Sequence, residues 1–202
     1  MKRCVIITGG VYAPIDYREG DFVIACDHGY SYAEREGIVP DLLLGDFDSY
    51  EGRLPSDIKT KTFPVEKDDT DTMLAVREAI AMGCDSVKLC CAFGGKLDHL
   101  FANIQTLSFA LDAGLEAEAE DEINYMRVLR PGSYTINKRD NTRLSFFALS
   151  DSVEGFTVRG TKYEAEKVLL KNTFPLGVSN SFKADAEISF RSGTLLMMLC
   201  KE

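Results

Sequence analysis

The chain has 202 residues, of which 45% are hydrophobic and 27% charged, a composition that is ordinary for a folded protein and argues against disorder. Its 32 acidic residues outnumber its 23 basic ones, and the formal charge of −9 argues against general binding to nucleic acids or anionic membranes. No apolar run reaches the roughly 20 residues that span a bilayer, and the N-terminal apolar stretch is too short for a signal peptide.

The first half of the chain alternates strand-like and helix-like patterns, which is typical of an α/β sheet. We predict strands at 3–8, 22–26, 41–45, 59–64 and 86–92. We predict helices at 29–36, 70–82 and 98–112, and each ends near a glycine that can adopt the left-handed C-cap conformation. The pattern predicts an α/β domain over 1–125, with a mainly parallel sheet and a Rossmann-like crevice.

After about residue 125 the helical periodicity disappears, and short β-rich runs alternate with turn residues. The predicted strands cover 123–129, 133–137, 143–149, 153–158, 166–171, 186–191 and 194–200. Closely spaced strands of this kind are typical of antiparallel sandwiches and barrels. We therefore expect an all-β sandwich over 126–202.

The six cysteines fall mostly in apolar, strand-like stretches, and none forms a C-x-x-C pair. This distribution indicates buried free thiols and not a disulfide framework. Free thiols are typical of a reducing compartment, so we expect a cytoplasmic protein.

Aspartates follow several of the predicted strands, at the point where each strand ends: Asp27, Asp46, Asp48, Asp71 and Asp98. Because the carboxyl ends of neighbouring parallel strands share one edge of a sheet, we expect these side chains to meet. Crowded carboxylates repel one another unless a divalent cation binds, and Mg²⁺ takes oxygen ligands together with substrate phosphates. The sequence therefore predicts a magnesium-dependent site suited to phosphoryl transfer, with nearby lysines available to phosphate oxygens.

Each of these residues also has an ordinary structural interpretation. Asp71 and Asp98 could be helix caps, Asp46 and Asp48 turn residues, and Lys67 a solvated charge. Their repetition at successive strand ends favours a site over coincidence. A Walker A loop and a dinucleotide fingerprint do not fit the sequence, and only two histidines are present, which excludes a histidine-rich metal site.

Several sequence blocks resemble those of bacterial thiamine pyrophosphokinases. They read A-C-D-H-G at 25–29, L-G-D-F-D-S at 44–49, K-D-D-T-D at 67–71 and G-G-K-L-D-H at 94–99. The similarity continues with R-G-T-K-Y at 159–163 and G-V-S-N at 177–180. Order, spacing and domain layout agree over nearly the whole chain.

This resemblance implies an enzyme that transfers the pyrophosphoryl group of ATP to the hydroxyl of thiamine, giving thiamine diphosphate and AMP. It implies a homodimer whose active site lies between the α/β domain of one subunit and the β domain of the other, with Mg²⁺ as cofactor. The implied catalytic and metal-binding residues are Asp46, Asp48, Asp71 and Asp98. The implied ATP contacts are Asp27, Lys67, Thr70, His99 and Asn103, and the implied thiamine contacts are Ser179 and Asn180.

Two features depart from the pattern of that family. His28 stands where the family usually has glycine, and the chain has no tryptophan to stack on thiamine. Phe182 is one candidate for that stacking, with a core position as the alternative. Two other functions stay open: a different metal-dependent phosphohydrolase or small-alcohol kinase, and a non-catalytic module that senses nucleotide or thiamine.

Overall fold

The computed structural model describes residues 1–47, 50, 52–63 and 68–202. The chain divides into two compact units, Met1–Glu122 and Ile123–Glu202, and each unit has its own cluster of buried hydrophobic side chains. In the described part of the chain, no helix is both long enough and apolar enough to span a membrane.

The first unit contains a parallel sheet. Its strands are β1 (Arg3–Ile7), β2 (Phe22–Cys26), β3 (Leu42–Gly45), β4 (Thr60–Thr62), β5 (Ser86–Cys90) and β6 (Glu116–Glu120). They lie in the order β6-β5-β1-β2-β3-β4, and each of the pairings that join them is parallel. The strand order reverses at β1, which pairs with β2 on one side and β5 on the other. Ligands of such sheets bind at the carboxyl ends of the strands beside this reversal.

Among the described residues of this unit, three helices connect the strands: α1 (Gly29–Glu36), α2 (Asp71–Ala81) and α3 (Leu97–Asp112). α1 ends at Gly37, whose φ of 67° is a left-handed conformation that glycine adopts without strain. α2 begins after Thr70, whose side chain accepts a hydrogen bond from the Met73 N–H. The predicted α/β fold is confirmed, and both α2 and α3 direct their first turns to the carboxyl edge of the sheet.

Strand β6 is absent from the sequence prediction. Its sequence, E-A-E-A-E, consists of residue types that are depleted in strands. It forms because Ala117 and Ala119 are completely buried and the strand pairs with β5. Tertiary packing therefore overrides local preference at this edge.

The second unit, which the structure describes without gaps, is built from antiparallel strands. They are β7 (Asn124–Leu129), β8 (Gly132–Ile136), β9 (Thr142–Ala148), β10 (Ser152–Thr161), β11 (Ala165–Lys171), β12 (Gly177–Phe190) and β13 (Leu195–Lys201). One sheet has the order β7-β13-β9-β12 and the other contains β8, β12, β10 and β11. A buried core of Leu144, Phe146, Phe156 and Ile188, among others, confirms the predicted β-rich half.

The long strand β12 belongs to both sheets of this unit. Residues 177–181 pair with β9, whereas residues 186–190 pair with β8 and, in part, with β10. The sequence predicts only the second part of β12, because the glycine, serine and asparagine of the first part disfavour strands.

Candidate functional site

A cleft of about 590 Å³ opens in the first unit at the carboxyl ends of β1, β2 and β5, beside the reversal of strand order. Its walls come from residues 8–11 after β1, 26–28 after β2, 69–72 at the start of α2, and 94–96 before α3. This volume lies in the range of small-molecule binding sites. The predicted crevice is therefore present where the topology places it.

Asp27 occupies the turn that leaves β2, in a left-handed conformation with φ of 45°. Its carboxylate accepts hydrogen bonds from the backbone N–H groups of Asp46 (3.0 Å) and Phe47 (3.2 Å), which ties the end of β2 to the end of β3. Gly45 makes this possible, because a β-carbon at that position would overlap the Asp27 Oδ1 atom. Burial raises the pKa of Asp27 to about 7, and a hydrogen bond with the Asp71 side chain adds to the rise.

The contact between Asp27 and Asp71 joins two carboxyl groups from different elements, and the charge of Asp46, which lies outside the cleft wall, acts on Asp27. A bound cation would remove the cost of ionising both carboxyls, and an all-oxygen donor set suits Mg²⁺. The described residues hold no cluster of three acidic, histidine or cysteine side chains that would form a complete protein cage. Mg²⁺ usually needs only one or two protein carboxylates, with water and phosphate as its other ligands, so the residues present fit this ion.

Three of the predicted ATP contacts also line this cleft: Thr70, His99 and Asn103. Thr70 is the N-cap of α2, and His99 is exposed in the first turn of α3. Asn103 is buried, and its Nδ2 donates to the Ala92 carbonyl at 2.9 Å, which holds the chain after β5 against α3.

Asp98 is exposed in the first turn of α3, where its carboxylate accepts the His99 backbone N–H at 2.9 Å, and it is not part of the cleft wall. Asp48 and Lys67 lie outside the described residues. The roles assigned to Asp98, Asp48 and Lys67 on sequence grounds therefore stay predictions.

Sequence reasoning missed the contribution of the chain after β1. Gly10 is fixed by the Tyr32 hydroxyl, which donates to its carbonyl at 2.8 Å, and a β-carbon on Gly10 would overlap the Cys91 carbonyl. The exposed ring of His28 packs edge-on against Tyr32, with ring centres 5.0 Å apart. A Thr-Gly-Gly sequence directly after a buried strand is the signal that could have indicated this wall.

In the second unit, Asn180 is buried and its side-chain amide is engaged on both sides. The Oδ1 atom accepts the N–H groups of Tyr163 and Ser181, both at 3.0 Å. The Nδ2 group donates to the Thr161 hydroxyl at 3.1 Å and to the Tyr163 carbonyl at 2.7 Å. Asn180 therefore fixes the turn between β10 and β11.

Ser179 is exposed in a left-handed conformation with φ of 57°, and its N–H donates to the Ser145 hydroxyl at 3.0 Å. Nearby, Tyr163 is 62% exposed in the turn that Asn180 holds. Phe182 instead packs against the core of the unit, in line with the alternative interpretation of that residue. Tyr163 therefore places an exposed aromatic ring beside Asn180, and the R-G-T-K-Y block at 159–163 is the signal that could have indicated it.

The two units differ in charge. Residues 1–122 include 24 acidic and 11 basic residues, a formal charge of −13. Residues 123–202 include 8 acidic and 12 basic residues, a formal charge of +4. The acidic character of the chain therefore resides entirely in the unit that contains the cleft.

Two family models match this chain. Residues 17–118 match a model described as thiamin pyrophosphokinase, catalytic domain, and residues 133–195 match one described as thiamin pyrophosphokinase, vitamin B1 binding domain. Together they cover more than half of the chain. A curated relative, thiamine pyrophosphokinase from Bacillus subtilis (strain 168), is 29% identical over 182 residues, which cover 87% of this chain and 85% of the relative.

The fold is also similar to solved structures. The crystal structure of thiamine pyrophosphokinase from Bacillus subtilis matches with a TM-score of 0.90 and 26% identity over the whole of both chains. That of thiamin pyrophosphokinase from Geobacillus thermodenitrificans matches with a TM-score of 0.84 and 28% identity, over 99% of this chain and 98% of the other.

Proposed function

The chain belongs to the thiamine pyrophosphokinase family, and we propose that it transfers the pyrophosphoryl group of ATP to the hydroxyl of thiamine, giving thiamine diphosphate and AMP. The observation that carries this proposal is the cleft at the strand-order reversal, where carboxyl groups and glycine-rich segments line one volume. Phosphoryl transfer needs this combination, because a polyanionic substrate has to be held beside groups that bind a cation.

ATP is proposed to occupy this cleft. Its volume of about 590 Å³ suits a nucleotide, and Gly94 and Gly95, both left-handed, lead into the N-terminus of α3. The free N–H groups of a helix start favour phosphate. Asp27, Thr70, His99 and Asn103 would contact the nucleotide, with Lys67 as a further predicted contact.

Mg²⁺ is the proposed cofactor and would neutralise negative charge on the group in transfer. Asp71 and Asp46 would hold it, with Asp27 beside them. Support comes from the paired carboxyls and their all-oxygen donor set. Asp48 and Asp98 remain the other predicted ligands.

The residues of the chain would act by positioning the reactants. The hydroxyl oxygen of thiamine forms a bond to the β-phosphorus, the bond from that phosphorus to the oxygen bridging the α-phosphorus breaks, and AMP leaves. Between Asp71 and Asp98, we favour Asp71 as acceptor of the hydroxyl proton, because Asp71 lines the cleft and Asp98 does not. The acceptor would be the Asp71 carboxylate oxygen that does not hold the cation.

Thiamine is proposed to bind the second unit around Ser179 and Asn180, with Tyr163 as the aromatic contact. We further propose a cytoplasmic homodimer in which the acidic unit of one subunit meets the basic unit of the other. The opposite formal charges of the units, −13 and +4, support this pairing. Six free cysteines support a reducing compartment.

Phosphorus NMR of the purified protein with ATP, Mg²⁺ and thiamine tests the reaction. We expect AMP and a diphosphate ester of thiamine to appear together, and neither to form without thiamine or in the Asp71→Asn variant. Formation of ADP and free phosphate, or consumption of ATP without thiamine, would reject the proposal and favour a different phosphohydrolase or kinase. Nucleotide binding without turnover would favour a sensing module.

A further inference from the structure

An ion pair connects the rim of the cleft to the helices behind it. The Arg77 Nε atom on α2 lies 3.0 Å from the Asp69 Oδ2 atom. The guanidinium carbon of Arg77 lies 5.0 Å from the centre of the Phe109 ring on α3. Asp69 lines the cleft and Arg77 does not. The pair therefore couples a residue of the cleft wall to the packing of α2 on α3.

The ion pair between Arg77 and Asp69 contributes little to the stability of the fold. The side chains of Arg77 and Asp69 are 50% and 34% exposed, and ion pairs that water reaches so readily contribute little to folding. The position of Asp69 matters more, because it comes just before the Thr70 cap and the Asp71 carboxyl. A change in the direction of the Asp69 side chain would therefore occur next to the first residues of α2.

The charge of Asp69 also matters for ligand binding in the cleft. Asp27, Asp69 and Asp71 line the same cleft, in which the proposed ligand is a polyanion. Without Arg77, the Asp69 carboxylate would repel a triphosphate and would compete with Asp71 for a bound cation. With Arg77 in place, one of these carboxylates is neutralised and its direction is fixed on the α2–α3 side.

We propose that Arg77 is a positioning residue for nucleotide binding, which holds the Asp69 carboxylate away from the ligand so that Asp71 is the carboxylate presented at the start of α2. This inference rests on the proposed function, because it assumes a magnesium–nucleotide complex in the cleft. Arg77 itself touches no ligand in this arrangement.

The test compares Arg77→Gln, Arg77→Lys and the double variant Asp69→Asn/Arg77→Gln with the parent chain. Lys61→Gln is the matched control, since Lys61 forms a 2.6 Å ion pair with Glu78 on the same helix and lies outside the cleft wall. Isothermal titration calorimetry measures the Kd of a non-hydrolysable ATP analogue with Mg²⁺. Thermal unfolding without ligand measures Tm, and steady-state assays give KM for ATP and kcat.

We expect Arg77→Gln to raise the Kd by about tenfold, the size of one uncompensated charge near the ligand. Its Tm should fall no further than that of Lys61→Gln, whose Kd should not change. Arg77→Lys should recover most of the affinity, because it restores the charge. The double variant should also recover, because the carboxylate that needed Arg77 is gone.

An unchanged Kd in Arg77→Gln would overturn the inference. So would a double variant that binds as weakly as Arg77→Gln, because Arg77 would then contact the phosphates itself. A Tm loss well beyond that of Lys61→Gln would mark the pair as structural. If the parent binds nucleotide but forms no AMP with thiamine, the proposed function fails while the binding comparison still decides the role of Arg77.

Discussion

The position of Asp27 in the cleft wall depends on Gly45 at the end of β3. Gly45 has φ of 145°, and a β-carbon there would overlap the Asp27 carboxylate that ties β2 to β3. We expect Gly45→Ala to displace Asp27, lower the Tm and abolish thiamine-dependent AMP formation.

The matched control is Gly37→Ala, at a left-handed glycine with no other atom within 4 Å of an added β-carbon. Its cost should be limited to backbone strain of about 1 kcal/mol, with turnover unchanged. Equal Tm and turnover in the two alanine variants would contradict the importance of the Gly45 contact.

The raised pKa of Asp27, about 7, makes the stability of the metal-free protein depend on pH. A carboxyl in the unfolded chain titrates near 3.9, so the folded state binds the extra proton between about pH 4 and pH 7, and stability falls as pH rises through that window. We expect Mg²⁺ to raise the Tm more at pH 8 than at pH 5, because the cation replaces the lost proton.

Thermal unfolding with EDTA and with Mg²⁺ at both pH values measures this effect. Asp27→Asn is the control, since the amide oxygen can still accept the hydrogen bonds from residues 46 and 47 while the titration is removed. An equal magnesium effect at both pH values in the parent chain would count against a cation beside Asp27.

At the scale of elements, a charge network around the buried Lys88 connects the segment before β2 to the sheet. Lys88 on β5 is 3% exposed, and its Nζ lies 2.7 Å from the Asp16 carboxylate. Arg3 on β1 donates to the same Asp16 at 3.0 Å and to Asp21 at 2.9 Å, while Glu120 on β6 contacts Lys88. The network therefore links the strands β1, β5 and β6 to the segment of chain between β1 and β2.

We expect Lys88→Met to destabilise the protein by about 2 kcal/mol, because Asp16 and Glu120 lose their hydrogen bonds to a charged group. Urea unfolding measures the loss. Lys61→Met, which breaks a more exposed pair, should cost at most about 1 kcal/mol. A loss for Lys88→Met no larger than for Lys61→Met would show that the network does not stabilise the unit.

The same network sets the response to acid. The hydrogen bond from Lys88, together with that from Arg3, outweighs the effect of burial and lowers the pKa of Asp16 to about 2. A depressed carboxyl pKa contributes stability above the unfolded value near 3.9, and this contribution is lost as pH falls through the folded value. Between about pH 4 and pH 2, Lys88→Met should therefore lose less stability than the parent chain.

Some of these strands and helices can be predicted from the local sequence pattern, and others cannot. Strands such as β1, β2 and β3 are mainly apolar runs, and the glycine after each predicted helix marks its end, so local patterns suffice. β6 and the first part of β12 are held by pairing with distant strands, which no local pattern encodes. Their residues have low strand preference, and the prediction therefore omits them.

In the candidate site, too, some features follow from local sequence patterns and others depend on contacts between distant residues. Asp27 and Asp71 come together as expected, because Asp27 follows the predicted strand β2 and Asp71 begins the predicted helix α2. The hydrogen bonds of Asn180 depend on a turn some 17 residues away along the chain, so the sequence could not show that its amide is engaged within the unit. Likewise, predicting that Arg77 pairs with Asp69 would require the directions of both side chains and the position of α3.

At the scale of the whole molecule, the charge is divided between units of −13 and +4. If the acidic unit of one subunit faces the basic unit of the other, as proposed, salt should weaken the dimer. Raising the salt from about 0.1 M to about 1 M shortens the Debye length from about 10 Å to about 3 Å. Sedimentation equilibrium should show a higher dimer dissociation constant at the higher salt, with thermal unfolding confirming that the subunits stay folded. A salt-independent dimer would point to an apolar interface.

Because β12 is hydrogen-bonded into both sheets of the second unit, one continuous strand joins the two sheets. Its amide hydrogens at 177–181 and 186–190 should therefore exchange with deuterated solvent at one common slow rate, that of opening the entire unit. The turn that carries Tyr163 is attached to this strand through Asn180, so its protection should follow β12 and not that of an ordinary surface loop.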